Sequence, residues 1–144
     1  MAVTRTEAVG LMMALVKTVV DAETLHTVWE NTDNGQDDQK PDDVVNWCRV
    51  NIRHRNGNPS SLSNSGGQKI HRQTGFVFIE IMTPTCGGRV EADRLAGLFE
   101  AAFRTRSSLN QKVWYTNVSS REAGQDDGWY KTNTVASFHY DIIQ

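Results

Sequence analysis

Only two cysteines, Cys48 and Cys86, occur in 144 residues, and neither belongs to a C-x-x-C pair nor has a histidine at ligand spacing. That scarcity argues against a zinc motif, and both read as small buried hydrophobes in a reducing compartment. Long apolar runs are missing as well: none approaches the ~18 residues needed to cross a bilayer, so no membrane partner is expected. A surplus of positive charge is also missing. The net charge of −2 argues against a dedicated nucleic-acid binder. Chemical motifs are scarce too. His26, His54, His71 and His139 are scattered, and the stretch SGGQK lacks the spacing of a phosphate loop and is followed by a strand pattern. No nucleophile stands near a base. Catalytic residues, metal and cofactor are therefore all expected to be absent.

What remains is enough for one sizeable core, with 38% hydrophobic residues in a 16.1 kDa chain. The first 23 residues read as a helix rather than a signal peptide. Thr4 and Glu7 have capping-box spacing, and Ala8, Leu11, Met12, Leu15, Val16 and Val19 line one face. The period then changes to two. TLHTVWEN (residues 24–31) is a short strand, and the polar stretch 34–43 is a loop. VVNWCRVNIRHR (residues 44–55) is a long strand with Cys48, Val50 and Ile52 on one face and Trp47, Arg49, Asn51 and Arg53 on the other. A Ser/Gly loop at about 56–68 precedes a second long strand, in which Val77, Ile79 and Ile81 alternate with Phe76 and Phe78. GGRVEADRLAGLFEAAFRTR (residues 87–106) is a second helix with Ala92, Leu95, Phe99, Ala102 and Phe103 as its stripe. Two further strands follow. The expected fold is a single-domain α+β chain, residues 1–144, with a largely antiparallel sheet of four to five strands, two helices and the order α-β-β-β-α-β-β.

GQDDGWYKTNTVASFHYDII (residues 124–143) offers an alternative, because Asp126, Asp127, His139 and Asp141 are the raw material of an acid-base site. Alternation explains the same letters without chemistry. Tyr130, Thr132, Ala136, Phe138, Tyr140 and Ile142 share one face of a strand, and Asp126, Asp127 and Gly128 form the preceding turn. His139 and Asp141 then sit about 7 Å apart on the polar face with no third group to hold them.

The unusual features are surface aromatics, a long loop and a split of charge. Trp47, Phe76, Phe78 and Trp129 all lie opposite the regular apolar side. Two arrangements fit: one helix covers each sheet face, or both helices share one face and a neighbouring subunit covers part of the other. Trp beside Arg is typical of interface anchors. From Asp21 to Asp43 the chain carries eight acids and one base, whereas from Val44 to Ile79 it carries five bases and no acid. Candidate interface residues are therefore Trp47, Arg49, Arg53, Arg55, Arg72, Phe76, Phe78 and Trp129, with Asp42 and Asp43 from the acidic run. The long loop supplies candidate partner-binding residues Asn56, Pro59, Ser60, Leu62, Gly66 and Gly67.

The succession VVNWCRVNIRHR, RQTGFVFIEIMTP, ADRLAGLFEAAF and DGWYKTNTVASFHYDI resembles the tail-terminator, or tail-completion, proteins of long-tailed bacteriophages and prophages. The residues carrying it include Trp47, Arg49, Arg72, Gly75, Pro84, Gly87 or Gly88, Ala92, Asp93, Leu95, Asp127, Gly128, Trp129, Tyr130, Phe138, Tyr140 and Asp141. The resemblance implies a hexameric structural ring assembled in the host bacterial cytoplasm and placed at the head-proximal end of the virion tail. Its implied partners are the tail-tube protein and a head–tail connector, with DNA passing through without specific binding. Two other readings remain: a nucleic-acid-binding module using the basic ribbon 49–72, and a small α+β enzyme using His139 and Asp141.

Overall fold

The computed structural model describes residues 3–29, 45–55, 58–59, 69–85, 88–106, 112–126 and 128–143. Asp42, Asp43, Asn56, Ser60, Leu62, Gly66, Gly67, Cys86, Gly87 and Asp127 lie outside the described residues.

Helix α1 (Arg5–Glu23) starts where the capping spacing places it, with Thr4 Oγ1 accepting the Glu7 N–H at 3.1 Å. It stops at Thr24, whose left-handed backbone (φ 53°) turns its N–H onto Val20 O. The stripe Ala8, Met12, Leu15, Val16, Val19 and Val20 is buried. Strands β1 (His26–Trp29), β2 (Trp47–His54), β3 (Asn58–Pro59) and β4 (Ile70–Pro84) follow, then helix α2 (Gly88–Arg106) and strands β5 (Trp114–Asp126) and β6 (Trp129–Ile143). The sheet order is β1-β2-β4-β6-β5, with β3 beside β4 beyond the end of β2. The α+β class matches the sequence reading, and so does the element order apart from the two-residue β3.

Two details differ from it. β1 pairs with β2 in parallel, His26 opposite Trp47 through Trp29 opposite Val50. The segment expected to be loop from residue 56 contains β3, in which Pro59 lies opposite His71. Pro donates no backbone hydrogen bond and so suits the end of a short strand.

Register decides the layering. Cys48, Ile81 and Thr132 lie level, as do Val50, Ile79 and Thr134, then Ile52, Val77 and Ala136. These rows share one core cluster with the stripes of both helices, including Leu95, Phe99 and Phe103 of α2. Both helices therefore pack on the same sheet face. Phe99 is fully buried, and each such side chain contributes about 1.5–3 kcal/mol. Arg94 joins the helices by pairing with Glu23 at the end of α1 (3.0 Å) and with Glu91 on α2. Gly75 fits where β2 crosses close to β4: a Cβ there would stand 2.1 Å from Arg53 O and 2.9 Å from His54 Cα. The β5–β6 hairpin turns at Gly128, with φ 83°.

Candidate interface on the uncovered sheet face

With both helices on one side, the sheet presents its other face without a helical layer among the described residues. Odd-numbered residues of β2 and β6 and even-numbered residues of β4 form it. The register arranges them in level rows. Trp47, Met82 and Lys131 make one row, and Arg49, Glu80, Asn133 and Arg121 the next. Asn51, Phe78, Val135 and Ser119 follow, then Arg53, Phe76, Ser137 and Thr116. The Arg55 N–H donates to Thr74 O at 2.6 Å, which extends the pairing past β2 to a row with His139 and Trp114.

At one end, Val28, Trp47, Met82 and Trp129 form a small cluster of their own, separate from the main core. The two indoles meet edge to face with centroids 6.0 Å apart. The Arg49 guanidinium lies 5.4 Å from the Trp47 ring and pairs with Glu80 across the strands at 3.4 Å. Trp47 and Trp129 are thus on the expected face but only 3% and 9% exposed within one chain. In the middle, Phe76, Phe78 and Val135 are half-buried and Arg53 is exposed. This is where apolar surface remains available to a partner. Trp47 Nε1 and Asn133 Oδ1 are buried without a hydrogen-bond partner, and such a group costs about 1–3 kcal/mol.

At the other end stand the residues of the acid-base alternative. Asp141 does have a third group: Arg72 grips it with two hydrogen bonds of 2.9 and 3.2 Å. That bidentate pair holds the Asp141 carboxyl below its ordinary pKa and raises Arg72. His139 instead stacks on Trp114, with centroids 6.4 Å apart and planes 15° from parallel. Burial first, and then the Arg72 charge, lower its pKa. An ionised carboxylate already saturated by arginine is a poor general base. Arg72 consequently meets an acid of its own chain rather than standing open as part of a basic ribbon.

A separate cleft of about 370 Å³ runs between the end of α1 and the start of α2, lined by Glu23, Thr24, Leu25, Asn46, Glu91 and Arg94. Its two carboxylates are both bound by Arg94. No group of three or more His, Cys, Asp or Glu among the described residues could hold a metal ion, and no described helix is long and apolar enough to cross a membrane.

Sequence reading assigned Phe76, Phe78, Trp47 and Trp129 to their face because alternation alone determines it. It put Lys131 on the polar face of the last strand by the same alternation, but named neither Lys131 nor Val135 among the interface candidates. Glu80 and Arg121 were less accessible, since their place depends on cross-strand register. Of the loop candidates, Pro59 is on β3 and the others lie outside the described residues.

Comparison with known proteins bears on the chain as a whole. A family model described as phage tail terminator protein matches residues 9–136. A solved structure 15% identical in sequence superposes with a TM-score of 0.55, covering 92% of this chain and 95% of that one, which supports the fold. No curated protein matches the sequence.

Proposed function

The chain belongs to the phage tail terminator family, and from that premise we propose that it closes into a ring, most simply a hexamer, that caps the finished tail tube. Membership makes it a structural component of phage tail assembly. The finer reading is that the ring sits at the head-proximal end of the tail, stops tube polymerisation and offers a surface to the head connector.

The observation that supports this best is the uncovered sheet face. An aromatic and aliphatic centre, Phe76, Phe78 and Val135, is rimmed by Arg53, Arg121 and Lys131. Such an apolar centre within a polar, Arg-containing rim has the composition of a subunit contact. A stable contact of this kind buries about 800 Å² per partner, and a few central anchors dominate its energy. Phe76 and Phe78 suit that part better than Trp47 and Trp129, which already bury each other. The pairing of Asp141 with Arg72 counts against a His139–Asp141 dyad.

Tail tubes polymerised in vitro from tube protein test the proposal. Electron microscopy of tubes grown with the wild-type chain should show arrested growth and a ring at one end. Tubes that keep lengthening at the same rate with the protein present would refute the capping role.

A further inference from the structure

Both described carboxylates of the uncovered face are already taken by arginines of that face, Glu80 by Arg49 and Asp141 by Arg72. At the end of the face near Trp47, Arg121 and Lys131 make no ion pair with another described residue. A second copy of the same face therefore has no spare carboxylate to offer them. The acids of α2 are also spent at home, Glu91, Asp93 and Glu100 each pairing with an arginine of that helix. Glu23 and Glu122 are held as well, by Arg94 and Arg89. Glu7 and Asp21 are left without an ion pair to another described residue, and both are exposed on α1. Lys17 is the one base between them. The last turn of α1 carries no base, so Asp21 adds to the partial negative charge of the helix C-terminus.

Shape agrees with charge. Between Glu7 and Asp21 the outer side of α1 is largely small or apolar, with Gly10 and Ala14 exposed and Met13 38% exposed. That stretch of helix is about 21 Å long. The face from the Lys131 row past Phe78 and Val135 to the Phe76 and Ser137 row extends about 20 Å. We infer that α1 of one subunit packs along the uncovered sheet face of a second copy, with Asp21 set against Arg121 and Lys131 and the Gly10–Ala14 surface over Phe76, Phe78 and Val135. The contact is head-to-tail. Each subunit uses its sheet face for one neighbour and α1 for the other, an arrangement that closes a ring instead of stopping at a dimer. The apolar centre provides most of the affinity, and the charges fix the direction in which α1 lies. This inference rests on the ring reading and names the two surfaces that build it.

Cross-linking tests it. Cys48→Ala and Cys86→Ser remove the native thiols; one such chain then carries Asp21→Cys and another Lys131→Cys. Thermal unfolding and light scattering check that each is folded and assembles. Mixed in equal amounts and treated with a short bis-maleimide, they should give a covalent dimer holding one chain of each kind, at least about tenfold above the dimer from either chain alone, because thiols held at one contact react at a high effective concentration. Rings of wild-type mass that give no excess of the mixed dimer would overturn the inference and leave the ring reading standing. Dimers formed as readily by the Lys131→Cys chain alone would overturn it too, by placing the sheet face against its own copy. A wild-type chain that stays monomeric removes the ring reading itself and the inference with it.

Discussion

His54 sits where three parts of the chain meet. Arg5 Nη2 lies 3.3 Å from its Nδ1, and the Tyr140 hydroxyl 2.6 Å from its Nε2. A guanidinium only donates, so Nδ1 accepts and the hydrogen is on Nε2. The ring is therefore held neutral. Burial, and next the Arg5 charge, lower its pKa from the ordinary 6.5. The unfolded chain then takes up the proton at higher pH than the fold does, so stability is complete above about pH 6.5 and falls as pH drops through that value toward the folded pKa. His139 is shifted in the same direction. Urea midpoints at about pH 7.5 and pH 5 should differ for the wild type, and the difference should shrink in His54→Phe, which keeps the aromatic contacts with Phe138 and Tyr140. An equal difference in both chains would remove His54 from this role. Nothing in the sequence marked His54, because its partners stand 49 and 86 residues away.

Among the elements, β4 is the most constrained, since it pairs with β2 and β3 along one edge and with β6 along the other. Gly75 is where that constraint is tightest. Gly75→Ala forces its Cβ into the backbone of β2 and should cost about 3 kcal/mol or more, beyond the range of ordinary overpacking. Gly97 on α2 has nothing within 4 Å of a Cβ, so Gly97→Ala should gain up to about 1 kcal/mol from helix propensity. Denaturant unfolding of the two variants should move in opposite directions; a shared direction would contradict the packing described for β4. Helix α1 was legible down to its cap, because Thr4, Glu7 and the apolar stripe are local signals. Strand faces were legible because alternation has a fixed period. The parallel pairing of β1 with β2 was not, since partner and direction depend on contacts that no local pattern encodes. β3 was hidden inside a Ser/Gly-rich stretch whose composition reads as loop.

At the scale of the whole molecule, the choice between one helix on each face and two on the same face was open in the sequence, and the shared core cluster decides it. That decision creates the uncovered face and separates its four aromatic candidates into two kinds. Trp129 buttresses Trp47 within the subunit, so Trp129→Ala should lower the unfolding free energy by about 3–5 kcal/mol, in addition to any effect it has on assembly. Phe76 and Phe78 are half-buried in the single chain, and their loss should act on assembly first. Assembly through a face that carries Arg53, Arg121 and Lys131 should weaken with added salt, because exposed charges are screened over about 8 Å at physiological ionic strength; sedimentation at low and high salt checks this. Light scattering of the wild type beside a Phe76→Glu, Phe78→Glu chain tests the account most directly. The wild type should weigh about six times the 16.1 kDa subunit, and the variant should weigh one subunit while keeping a cooperative unfolding transition; a wild type that remains monomeric at every concentration, or a variant that still assembles fully, would contradict it.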